Sequence, residues 1–268
     1  MLLHKRLPGA VSGQQRRAIP AARAVRPSRV ALRPVKAFGS AATQPAETTE
    51  SGKRVKPEKE KGFINKMRMV AMKLHTKDQA PKEGEKPAPP PRPFVPTREG
   101  YLRFLAESKA VYDVVERIIA ERDEYAAFRN SGLERAGPLA EDIAWVSSTY
   151  GLQPPAVTED GPGMTYARKV AELATTDPPT FICHYYNFYF AHTAGGRMIG
   201  KKMSELLLDS ATLKFYQWEG DVQVHLDRVR KTINELAESW TDEEKQRCLA
   251  ETEQSFSFSG GIMKCIGM

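Results

Sequence analysis

The chain has 268 residues, long enough for one domain of about 200 residues with a well-buried core. Its formal net charge of +7 is not evenly spread: residues 1–46 hold nine Lys or Arg and no acid, and the remainder nets −2, which excludes a folded nucleic-acid-binding domain. Three cysteines (Cys183, Cys248, Cys265) with no Cys-x-x-Cys pair exclude a disulfide or zinc framework, and no run of about 18 apolar residues suggests a membrane anchor.

Residues 1–46, rich in Arg, Ala, Ser and Pro, read as an organelle transit peptide without the 7–15-residue apolar run of a secretory signal. A disordered nucleic-acid-binding arm is the alternative, and charge alone does not separate plastid from mitochondrion. The Lys/Glu-rich stretch that follows has no apolar period, so residues 47–60 are expected to be a disordered polar linker. The folded domain is expected over residues 61–268, starting near Gly62. Phe63, Met67, Val70, Ala71 and Leu74 fall on one face of an amphipathic helix that His75 closes. Seven prolines between Pro81 and Pro96 predict an extended connector.

Thr97 caps the next helix, with the stripe Tyr101, Phe104, Leu105, Val111, Tyr112, Val115, Ile118 and Ile119. A shorter helix is expected from Glu121 to Asn130, stopped by Gly132. Others are expected over Leu139 to Val146, ended by Gly151, and over Tyr166 to Thr175. Asp177-Pro178 reads as an N-cap with proline at the first position of one long central helix reaching Leu208. Beyond the irregular piece Phe215-Tyr216-Gln217-Trp218, a helix runs from about Asp221 to Trp240. The capping box Thr241-Asp242-Glu243-Glu244 opens a last helix with Leu249, Phe256 and Ile262. No strand alternation, repeat or phosphate loop occurs, so the fold is all-α, a single globular helical domain.

The central helix is apolar nearly all round at its start, which buries it, yet it carries Gly195-Gly196 in its middle. Each glycine costs about 1 kcal/mol against alanine there, and such a pair is where helices bend. Two explanations stand: another helix crosses closely, or a flat ligand lies on bare backbone with His192 one turn away on the same face. A di-iron site would need Glu-x-x-His pairs, and no Glu stands three before His75, His184 or His192. No nucleophile signature is present, and Cys183 reads as core. The remaining chemistry is a haem site, with one neutral imidazole on iron and basic groups for the propionates. Arg68 lies two turns before His75 on one face, within reach of a propionate of a ring ligated by His75.

Three segments carry a family likeness: Met72 to Ala80, Gly132-Leu133-Glu134-Arg135, and Phe181 to Gly200 with His192-Thr193-Ala194-Gly195-Gly196-Arg197. Together they resemble plant-type haem oxygenase over about Gly62 to Ile266. The resemblance implies a plastid (stromal) enzyme that takes haem b, O₂ and reduced ferredoxin and gives biliverdin IXα, CO and ferrous iron by opening the α-meso carbon. It implies ferredoxin as partner, a bilin reductase downstream, and a monomer with no membrane anchor. By the same resemblance His75 is the proximal iron ligand, and Gly195 and Gly196 let backbone approach the oxygen side. His192 stands where animal and bacterial members carry an aspartate that orders distal water, and Tyr112 belongs to that network. Arg68, Tyr186 and Arg230 fall at propionate-binding positions, although the spacing from Arg230 to Thr241 differs by about a residue from animal members. Phe256 walls the pocket. Ala191 replaces a third glycine, which implies a stiffer distal helix. A plant subgroup of this fold lacks the ligand histidine, and His75 argues against membership in it. The alternatives are a non-catalytic haem-binding or haem-sensing protein of the same fold and, more remotely, a thiaminase-like helical enzyme with a catalytic cysteine.

Overall fold

In the computed structural model, which describes residues 62–77 and 94–267 and the backbone alone at 75–77, apolar periodicity becomes helix wherever the sequence carries it. The helices are α1 Phe63–Lys77, α2 Arg98–Glu121, α3 Ala136–Tyr150, α4 Pro162–Thr176, α5 Pro178–Ala191, α6 Arg197–Leu207, α7 Val222–Glu238, α8 Asp242–Ala250 and α9 Thr252–Met263. No strand occurs among the described residues, and the fold is an all-α single domain. The leader, the polar linker and most of the proline-rich connector lie outside the described residues.

Local chemistry sets the helix ends. The Thr97 hydroxyl accepts from Gly100 N at 2.9 Å, the Asp221 carboxylate accepts from Gln223 N at 2.8 Å, and Thr241 with Glu244 closes the expected capping box. Gly151 ends α3 at φ 66°, a conformation that an L side chain resists. All eight expected stripe residues of α2 are buried. α2 packs against α3 and α4, while α5 packs against α4, α8 and α9. α1 docks by its first turn: Phe63 meets Trp240 edge-on at 5.4 Å, and Ile64 N donates to Asn234 Oδ1 at 2.9 Å.

Three expectations need correction. Glu121 is the last residue of α2, and a 3₁₀ turn, Asp123–Phe128, replaces the short α-helix. Tyr125 and Phe128, three residues apart, eclipse in such a turn and both reach α5, at 4.6 Å from Phe181 and 5.0 Å from Tyr185. The last helix is two helices, α8 and α9, parted at Glu251, which lets both lie on α5; the Glu251 carboxylate then meets His184 Nε2 at 3.0 Å. The central run from Pro178 to Leu207 is continuous but not uniform, because residues His192–Gly196 form a π-helical turn between α5 and α6. Cys183, Cys248 and Cys265 are free and buried, as a reduced chain would have them.

Candidate active site

α5 is held as the axis of the domain. Every residue from Pro179 to Tyr189 is buried, and each large side chain among them contributes about 1.5–3 kcal/mol by leaving water. Burial becomes one-sided at the π-turn, where His192 alone is buried. A π-turn widens the helix and is found disproportionately at functional sites. A Cβ added at Gly195 would meet nothing within 4 Å among the described residues, whereas one at Gly196 would come within 3.1 Å of the Ala191 carbonyl of its own helix. No crossing helix among the described residues therefore accounts for the pair. Bare backbone at Gly195 faces outward beside exposed Ala191, Ala194 and Met198, the last 59% exposed.

Against the expectation of a shared face, His192 points the other way from Gly195, inward among aromatic rings, and is only 8% exposed. Its Nδ1 lies 2.7 Å from the Phe188 carbonyl oxygen and 2.9 Å from the Tyr112 hydroxyl. A carbonyl only accepts, so the shorter contact puts the ring proton on Nδ1. The Tyr112 oxygen is then a second acceptor with its own proton left to donate. The described residues give Nε2 no hydrogen-bond partner, and the neighbouring Cδ2 lies against the position that a Gly196 side chain would take. Burial lowers the His192 pKa to about 4; the Phe188 carbonyl opposes that shift and the Arg135 charge adds to it. The imidazole is thus neutral at pH 7. Burial likewise pushes the Tyr112 phenol well up from its ordinary value. Phe188 at 4.7 Å and Tyr189 at 4.8 Å wall the Tyr112 ring, and Phe215 lies 4.8 Å from His192, so neither ring can swing freely.

Of the other expected residues, Tyr186 and Arg230 lie together. Tyr186 packs at a tilt against Phe190 at 4.4 Å, and the Arg230 guanidinium sits 5.2 Å from the same Phe190 ring while donating to Asp227 Oδ1 at 2.6 Å. Tyr186 and Arg230 thus share one aromatic platform. Arg68 is exposed on α1, Phe256 is half-buried on α9, and His75 lies near the end of α1, its side chain outside the described residues. α1 carries Lys66, Arg68 and Lys73 exposed and no acid, and α6 adds exposed Arg197, Lys201 and Lys202.

The family described as heme oxygenase matches residues 71–264. The chain belongs to the haem oxygenase family. It is 50% identical to the chloroplastic heme oxygenase 1 of Arabidopsis thaliana, over 82% of this chain and 80% of that protein. It is 52% identical to the chloroplastic heme oxygenase 1 of Oryza sativa subsp. japonica, over 78% of this chain and 72% of that one. The crystal structure of heme oxygenase-1 from Synechocystis in complex with heme shares the fold at TM-score 0.57 and 18% identity, over 77% of this chain and 96% of that one.

Two residues of this haem oxygenase chain escaped the sequence reading. Arg135, 6% exposed, donates to the carbonyls of Glu134, Lys214 and Gln217, and its charge acts on both Tyr112 and His192. Glu116 accepts from the backbone N–H groups of Arg135 at 2.6 Å and Ala136 at 3.0 Å, which caps α3. One signal was available: Glu116 stands one turn after Tyr112, so an acid shares the buried face of α2.

Proposed function

We propose that this protein cleaves haem b oxidatively at the α-meso carbon, using O₂ and electrons from reduced ferredoxin, and releases biliverdin IXα, CO and ferrous iron in the chloroplast stroma. The observation that carries the reading is the π-turn, which sets open backbone at Gly195 on one face of the central helix and the buried Tyr112–His192 pair behind it. A flat ring fits such a place, because any side chain at Gly195 would fill it, and the cationic rims of α1 and α6 suit two carboxylate tails.

Haem, the substrate, supplies the iron and with it the oxygen-activating chemistry. His75 would hold it by a neutral imidazole. Arg68 and the Tyr186–Arg230 platform would bind the propionates, which fixes the rotation of the ring and hence which meso edge is exposed. Phe256 would wall the pocket. Gly195 and Gly196 would admit the ring close to backbone and exclude other meso edges by contact. His192, neutral, can accept a hydrogen bond from one water at Nε2, while Tyr112, on the Nδ1 side, can donate to another; waters so held would deliver a proton on the oxygen side. The open position that O₂ needs argues against direct iron ligation by His192.

In this reading residues 1–46 are a transit peptide, 47–60 a linker and 61–268 the catalytic domain. Ferredoxin is the electron donor, a bilin reductase takes the product, and the domain works as a monomer. Among the described residues no helix is long and apolar enough to cross a membrane. Aerobic incubation with haem, ferredoxin and its reductase tests the proposal. Loss of the Soret band with biliverdin as product supports it, and a stable haem spectrum supports a non-catalytic haem-binding protein instead.

A further inference from the structure

The close packing that bare helix backbone allows occurs one turn beyond the glycine pair, at Gly200. A Cβ added at buried Gly200 would come within 2.5–2.6 Å of three ring carbons of Tyr216, nearer than side chains approach one another. The Tyr216 ring therefore lies directly against the backbone of α6. Tyr216 belongs to a 3₁₀ turn, Lys214–Tyr216, in the segment that follows α6. That turn is held from behind in two ways. The buried Asp142 carboxylate on α3 accepts from Lys214 N at 2.9 Å and from Phe215 N at 2.7 Å. The buried Tyr101 hydroxyl on α2 donates to the Tyr216 oxygen at 3.2 Å. Phe215, fully buried, lies 4.8 Å from the His192 ring and 5.8 Å from the Tyr112 ring. Phe215 and Tyr216 thus support the inward side of the bent central run at His192 and Gly200, while α6 presents Arg197, Met198, Lys201 and Lys202 exposed on its outward side.

We infer that Tyr216 is a positioning residue: its ring, seated on Gly200, sets how far α6, and with it the Gly195 backbone, stands out toward the haem face. The inference deepens the haem oxygenase reading above and rests on it. Gly195 lies five residues before Gly200, about 7.5 Å along the run, and its open side faces away from the Tyr216 ring. The ring cannot retreat, because Asp142 fixes the backbone of its turn and Tyr101 fixes its hydroxyl. Close-packed interiors pass such a displacement on rather than absorb it. Carbon atoms in contact stand about 3.5–4.0 Å apart, so a methyl group at Gly200 needs roughly 1 Å more room than it would find. α6 supplies that room by moving outward. Loss of the ring acts in the opposite sense and lets α6 settle inward. Either shift changes the clearance between the Gly195 backbone and a flat ring, and with it the meso edge left open. A misplacement of about 1 Å can cost on the order of 100-fold in rate. Buried behind α6, Tyr216 acts through the helix rather than on the substrate.

Gly200→Ala, Tyr216→Leu and the double variant carrying both changes test the contact with two readouts. In the haem-free protein, amide hydrogen exchange along α6 should be roughly 10-fold faster in Gly200→Ala than in wild type. At an unconstrained helix position the same change would slow exchange, because alanine is the better helix former. In the double variant the methyl group enters space that the ring has left, and exchange should return to within about 2-fold of wild type. Should Gly200→Ala fail to fold, a folded double variant reports the same contact. In turnover, each single variant should lower kcat roughly 10-fold and release biliverdin isomers other than IXα, and the double variant should restore the IXα isomer and most of kcat. A merely structural role would lower the yield and leave the product IXα alone. Slower exchange in Gly200→Ala, IXα as sole product in both single variants, or no recovery in the double variant would overturn the positioning role while biliverdin formation still stands. Failure of the wild-type protein to make biliverdin would instead remove the reading on which the inference rests, whatever the exchange rates.

Discussion

The neutral state of His192 has a consequence for stability that can be measured without any haem. Its pKa of about 4 in the folded chain, against an ordinary value of about 6.5, means that the unfolded chain binds a proton over a range where the folded one does not. Stability from this residue is therefore fully present above pH 6.5 and is lost as pH falls toward 4. Between pH 7 and pH 5 the loss is about 2 kcal/mol, and below pH 4 it approaches roughly 3 kcal/mol. His192→Asn keeps an amide N–H for the Phe188 carbonyl and has nothing to titrate. Urea unfolding of the haem-free protein should show the wild-type midpoint falling, relative to His192→Asn, by roughly 1 M between pH 7 and pH 5, for a slope near 2 kcal/mol per M. His184, whose pKa burial also lowers, is common to both proteins and cancels in the difference. Parallel pH dependences would refute the reasoning, because they would mean that His192 is not a buried neutral base. The same geometry orders the activities: His192→Asn retains appreciable biliverdin formation, and His192→Leu loses more because it leaves Tyr112 without a polar neighbour and expels water. Equal activity of His192→Leu and wild type would make the side chain a bystander.

Gly195→Leu should raise the stability of the haem-free protein by up to about 1 kcal/mol, since the site is helical and open, while removing most turnover; a fully active variant would refute the ligand-face assignment. His75→Ala should still bind haem weakly through burial of the ring but lose both turnover and the histidine-ligated optical spectrum, and wild-type activity there would remove the ligand assignment. Lys66→Glu with Lys73→Glu reverses two exposed charges on α1, so the rate of reduction by an acidic ferredoxin should drop several-fold and lose part of its salt dependence; stopped-flow reduction unchanged by either the charges or ionic strength would count against docking there.

Much of the architecture was legible from residue patterns. The α2 stripe, the Thr97 cap, the Thr241–Glu244 box and the proline start of α5 are local features, decided by side chains within a few residues of one another, and local physics carries them into the fold intact. What sequence could not decide was contact between distant segments. Spacing left the Gly195–Gly196 pair open to two explanations, and the empty space beside Gly195 shows that no described helix crosses there. The break at Glu251 and the 3₁₀ turn at Asp123–Phe128 arise because those segments must reach α5, which periodicity within each segment does not record.

The candidate site divides in the same way. His75, His192, the glycines and Tyr112 could be singled out from residue type and family likeness, because their identities are chemically unusual on helices. That His192 turns inward, is neutral, and shares Nδ1 between the Phe188 carbonyl and Tyr112 depends on atoms 4 and 80 residues away, which meet only when Tyr112 of α2 packs against Phe188 and Tyr189 of α5. Glu116 and Arg135 are ordinary charged residues in the sequence. Tertiary burial alone gives them a role, since the field of a charge matters most where water has been removed.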